Sequence, residues 1–139
     1  MHERLILFET AKLAKEKSFN IPCFSCYDNK GYIKHPFLEN GSSTDTDFRV
    51  DLDDLLENHN HTHYSTNSAP TQSLLQKWIR EAHGIHIEIL LSDEQPHKHF
   101  YYRIMQMSKY FTLAHDGIYN ISYEDITEIA LQDALKRIK

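Results

Sequence analysis

The residues best suited to metal chemistry are His59, His61 and His63, which alternate in the segment NHNHTHYSTNS at 58–68. In an extended chain, alternate side chains project to one side, so two imidazoles could hold Zn²⁺ or a similar ion. A closed site needs further ligands, and Cys23 and Cys26 offer thiolates. With His59 and His63 they spell C-x₂-C…H-x₃-H. The gap between the pairs is 32 residues, against about a dozen in a zinc finger. The competing reading is a solvated, flexible polar loop over 58–68 whose histidines titrate near neutral pH. Zinc is the one cofactor this pattern suggests; otherwise none is expected. Cys23 and Cys26 as a redox pair lack a following helix N-terminus to lower a thiolate pKa.

The remaining candidates for chemistry are weaker. Asp45, Asp47, Asp51, Asp53, Asp54 and Glu57 suggest calcium, but a loop laid from Asp45 puts Val50 where glycine is required and Leu56 where the closing glutamate belongs. His115 and Asp116 beside Gly117 suit a turn as well as an acid–base pair. No serine sits in a nucleophile elbow, and four glycines offer no phosphate-cradling loop. No catalytic constellation emerges, so an enzyme is not expected.

A binding surface is the alternative. Read as a strand, residues 99–109 place His99, Tyr101, Arg103, Met105, Met107 and Lys109 on one face, with Phe100, Tyr102 and Ile104 on the other. The first set mixes cations with a stacking aromatic, which suits single-stranded nucleic acid. It equally suits a protein contact, where Tyr, Met and Arg are enriched. A formal charge of −5 without long runs of one sign disfavours nucleic acid, whose affinity rests on cations neutralising phosphates. A protein partner or self-association is the leading expectation.

The elements that must position these residues follow from periodicity. Residues 4–17 read as an amphipathic helix with Phe8, Ala11 and Ala14 inward and Lys12–Glu16 as an i,i+4 pair. Aromatic runs around Asp28-Asn29-Lys30-Gly31 form a hairpin signal. Residues 39–46 are turn chemistry, and Val50 to Glu57 suits a short helix. The clearest segment is 69–91. Leu74, Leu75, Trp78, Ile79 and Ala82 draw a helical stripe, Pro70 suits its start, and Gly84 suits a left-handed stop. Trp78, the single tryptophan, is expected in the core. Ile85, Ile87 and Ile89 then alternate as a half-buried strand that pairs with 99–107 as a second hairpin. A short strand near Tyr110 to Leu113, a turn at 115–117 and a final helix complete the chain. That helix has Ser122 as cap, Asp125 in a capping box, and Ile126, Ile129, Ala130, Ala134, Leu135 and Ile138 inward.

The order α-β-β-(α)-α-β-β-α predicts an α+β class, with an antiparallel sheet from two hairpins and three main helices on one face. A length of 139 residues predicts a single domain. No run approaches the ~20 apolar residues of a membrane span, and Leu5 to Phe8 is too short for a signal-peptide core, so a cytoplasmic location without membrane partners is expected.

Three stretches carry a resemblance: ETAKLAKEKSF at 9–19, PTQSLLQKWIREAHGIHIEI at 70–89 and the closing YEDITEIALQDALKRIK. They resemble small uncharacterised proteins of phages, prophages and related mobile elements of gut bacteria, over about half of the chain. Those proteins carry glycine where this chain has Ser18 and leucine where it has Ile79. The resemblance implies a mobile-element context and an accessory role. It implies no activity, cofactor or catalytic residue.

Overall fold

The fold is a computed structural model that describes residues 3–34, 58–62, 66–93, 99–108, 111–118 and 121–139. Its elements are α1 (Phe8–Glu16), β1 (Cys26–Tyr27), β2 (Ile33–Lys34), α2 (His59–Thr62), β3 (Asn67–Ser68), α3 (Gln72–His83), β4 (Ile85–Ser92), β5 (His99–Gln106), β6 (Phe111–Ile118) and α4 (Tyr123–Arg137). The class is α+β, and every strand pairing is antiparallel. The single sheet expected from two hairpins is instead two three-stranded sheets, ordered β2-β1-β3 and β4-β5-β6, because each hairpin gains a third strand. The expected turn and short helix over 39–57 lie outside the described residues. Contacts divide the chain into two compact units, Leu5–Pro70 and Met1–Arg4 with Thr71–Lys139.

In the first unit, α1 starts at Phe8, four residues later than periodicity suggests, and buries Thr10, Ala11 and Ala14. Lys12 pairs with Glu9 at 2.8 Å instead of Glu16, and its ammonium sits 4.9 Å from the centre of the Phe8 ring. The helix ends at Ser18, which adopts φ 65° while the Phe19 N–H closes on the Ala14 carbonyl at 2.9 Å. That is the left-handed stop that glycine normally provides. The first hairpin turns as predicted. Gly31 has φ 87°, and the Asp28 carboxylate accepts from the Lys30 and Tyr32 N–H groups. A side chain at residue 31 would also meet the Phe8 ring at 3.0 Å.

In the second unit, Thr71 caps α3 by accepting the Leu74 N–H, so Pro70 precedes the cap instead of opening the helix. Leu75, Trp78 and Ile79 are buried as expected, Gln72 joins them, and Ala82 is exposed. Gly84 stops the helix with φ 64° and leads directly into β4. The two long strands pair from Ile85↔Gln106 to Ser92↔His99. One face of this hairpin is core: Ile85, Ile87, Tyr102 and Ile104 are buried against α3 and α4. The Tyr102 hydroxyl donates to Asp133 of α4 at 2.9 Å, so even this polar tip is satisfied.

Strand β6 runs to Ile118, well beyond the short strand expected near 110–113. His115, Asp116 and Gly117, which read as a turn, are paired with Arg103, Tyr102 and Tyr101. Turn-type residues are held in a strand here because the central strand β5 supplies a ladder for them. The register slips by one between Ile104↔Ala114 and Met105↔Thr112, a bulge that leaves Leu113 without an opposite residue.

Helix α4 opens on Ser122, whose hydroxyl accepts the Asp125 N–H at 3.0 Å. Its buried stripe contains Ile126, Ala130, Ala134 and Leu135 as expected, but Leu131 is fully buried while Ile129 is only half-buried. Thr127 and Glu128 are buried as well. Among the described residues, no helix is long and apolar enough to cross a membrane.

Candidate interaction surface

The outer face of β4 and β5 is built by the same alternation that builds the core. Register pairs His86 with Met105, Glu88 with Arg103 and Leu90 with Tyr101. In an antiparallel ladder such opposite residues lie side by side. Arg103 donates through Nε to Glu88 at 2.9 Å, and a second guanidinium nitrogen reaches the same carboxylate oxygen. His86 Nε2 stands 3.7 Å from the other Glu88 oxygen. Glu88 therefore holds the centre of the strip, between Leu90 with Tyr101 on one side and His86 with Met105 on the other. Met107 lies in the turn after β5 and is 47% exposed. Lys109 lies outside the described residues.

This geometry changes what the face can do. The Arg103 guanidinium is committed to a carboxylate, so a phosphate contact would first have to break that pair. Glu88 in turn is no free base. What remains is a strip with an internally neutralised ionic centre and Leu, Tyr and Met around it, a composition found in protein contacts. Within β5, Tyr102 and Ile104 are buried as the alternation predicts, whereas Phe100, expected on the same inner face, is only half-buried, and Met107 falls in the turn after the strand. Glu88 and His86 were legible only as exposed positions of β4. Their pairing with Arg103 required the register between the two strands, which alternation alone does not give.

The histidine segment is arranged differently from the extended strand expected of it. Residues 59–62 form a helical turn and 67–68 form β3, so the backbone at positions 59 and 61 is helical and not extended. His59 is 2% exposed, and its Nε2 lies 3.0 Å from the Cys23 carbonyl. The neighbouring Asn60 donates to the Phe19 carbonyl and accepts the Ser68 N–H, and the Thr66 hydroxyl donates to the His59 carbonyl. These polar side chains satisfy buried backbone groups. His61 belongs to the same turn, and His63 lies outside the described residues. Cys23 and Cys26 are buried and form no disulfide, and burial pushes the Cys23 thiol up to about 12. Among the described residues, no three His, Cys, Asp or Glu side chains are grouped to hold an ion, so Cys23, Cys26 and His59 do not form such a set.

Comparison with protein-family models, with curated proteins and with solved structures finds no match for this chain.

A second feature of the Thr71–Lys139 unit is invisible from sequence. The N-termini of α3 and α4 border a cavity of about 300 Å³ lined by Glu3, Arg4, Gln72, Gln76, Tyr123 and Glu124, among others. Glu3 accepts the Ser73 N–H at 2.9 Å, the Arg4 carbonyl accepts the Gln72 N–H at 3.0 Å, and the Arg4 side chain reaches Asp125. Two consecutive residues thus satisfy orphan donors of one helix and the acidic first turn of the other. The Asp125 carboxyl is held below the usual carboxylate range, by the Arg4 side chain first and by Ser122 next.

Proposed function

We propose that this chain is a small accessory protein of a phage or related mobile element that acts by binding another protein, or a second copy of itself, through the outer face of β4 and β5. The observation that carries the reading is the Glu88–Arg103 pair set among Leu90, Tyr101, His86 and Met105. An internally neutralised cation flanked by apolar and aromatic groups favours a protein over a polyanion. The mobile-element context rests on the sequence resemblance alone.

The test is a photo-crosslinking residue at position 101, used in the host cell and at increasing protein concentration in vitro, beside the same residue at the exposed position 81 of α3. The expected outcome is one discrete adduct, or a concentration-dependent dimer, from position 101 alone. A strict monomer in light scattering, with no adduct from position 101, rejects the reading. Nucleic acid is the competing partner. It requires tight binding of oligonucleotides at low salt that strengthens when Glu88→Gln releases Arg103.

A further inference from the structure

We propose that the outer edge of β4 pairs antiparallel with β4 of a second copy of this chain, joining the β4-β5-β6 sheets of the two copies across a two-fold axis at Ile87.

β4 is one edge of its sheet, and among the described residues no strand but β5 pairs with it. The Met107 N–H donates to the Gly84 carbonyl at 2.7 Å, which continues the register of Ile85↔Gln106. Hydrogen-bonded pairs alternate along an antiparallel ladder, so His86, Glu88 and Leu90 turn their backbone groups toward β5. Ile85, Ile87, Ile89 and Leu91 turn theirs outward.

The two edges of this sheet differ. Proteins blunt an edge strand with a bulge, a proline or a charged side chain. β6 carries the bulge at Leu113. β4 reads IHIEILLS and pairs with β5 without a register shift, and its one carboxylate, Glu88, is neutralised by Arg103. It is the edge left open to another strand.

Residue types select the occupant and the register. With Ile87 on the axis, Ile87 meets its own copy and Ile85 meets the partner's Ile89, which extends the apolar inner face. On the outer face His86 meets the partner's Glu88, and Glu88 meets the partner's His86. Within one chain His86 Nε2 stands 3.7 Å from Glu88, too far for a hydrogen bond, so that contact leaves the imidazole able to donate. An axis at Glu88 would set two carboxylates opposite each other, and an axis at His86 two imidazoles. An axis at Ile89 would set Glu88 against Leu90. Charge complementarity therefore favours the Ile87 register, in which the outward residues exchange about six main-chain hydrogen bonds. The pairing uses the edge of the strand and holds whether or not the outer face of β4 and β5 binds another protein.

The experiment is sedimentation equilibrium of the full chain over a rising concentration series, with amide exchange followed by NMR on labelled protein. A dimer is expected, with exchange at Ile85, Ile87 and Ile89 slowed as it forms. Mixing labelled with unlabelled chain should show His86 and Glu88 α-protons in contact between copies. His86→Glu and Glu88→Lys each set like charges opposite and should each weaken the dimer at least tenfold, while an equimolar mixture of the two restores a heterodimer. Circular dichroism checks that each variant is folded, and the exchange measurement on the unaltered chain needs neither. A monomer up to about 1 mM, a dimer whose Ile87 amide exchanges as fast as in the monomer, or a mixture that dimerises no better than either folded variant overturns the proposal. A monomer that still crosslinks to another protein from position 101 overturns this pairing and leaves the proposed function standing.

Discussion

Arg4 and Asp125 are separated by 121 positions in the chain, yet a guanidinium nitrogen and a carboxylate oxygen lie 2.6 Å apart at the start of α4. Because Arg4 also offers its carbonyl to Gln72, and Glu3 its carboxylate to Ser73, one dipeptide secures both helix starts. Since the folded state lowers the Asp125 pKa, its contribution is present above the unfolded value of about 3.9 and is lost as pH falls through the lower folded value. Asp125→Asn is therefore expected to lower the urea midpoint at pH 7, with the difference from wild type vanishing in strong acid. A difference that persists unchanged at acid pH would assign the effect to something other than this pair.

Gln72 and Glu128 form the buried polar contact between α3 and α4 at 2.8 Å. Gln72→Leu keeps the volume but removes the donor, and leaving a buried acceptor short of a partner is expected to cost about 1–3 kcal/mol. Denaturant titration measures the loss. Adding Glu128→Leu to Gln72→Leu should recover part of it, giving a non-zero coupling in a double-mutant cycle. Strict additivity of the two substitutions would show that the contact carries no energy.

Ser18 occupies a left-handed conformation that penalises every residue with a Cβ. Ser18→Gly is expected to stabilise the protein by about 0.5–1 kcal/mol. The corresponding rise in thermal midpoint is measurable by circular dichroism. Gly84→Ala is the reverse experiment and should destabilise, because φ there is 64° and the new methyl group would stand 3.3 Å from Gln106 Nε2.

Cys23 is buried and its thiol is pushed up to about 12 by desolvation. Cys26 is 2% exposed. At neutral pH neither thiol should react with a disulfide reagent on the timescale of minutes, and both should react once guanidinium unfolds the chain. Fast labelling of the native protein would contradict the burial.

Local rules reached far in this chain. The Gly84 stop, the alternation of Ile85 and Ile87, the Ser122 cap and the two faces of β5 all depend on residues within a turn or two of one another. The failures share a different origin. His115-Asp116-Gly117 carries turn chemistry yet lies in β6, because β5 offers it a ladder. His59 carries loop chemistry yet is buried, because the Cys23 carbonyl needs a partner 36 positions away.

The amino-acid sequence by itself determined where helices cap and stop, which residues of β4 and β5 face inward, and that the chain folds in the α+β class. These outcomes are set by backbone sterics and by periods of 3.6 and 2. Only the tertiary structure decided that Glu88 neutralises Arg103, that Gln72 meets Glu128, and that Glu3 and Arg4 close the helix starts. Those contacts join distant positions through register and packing, and no local period encodes a partner that lies tens of residues away.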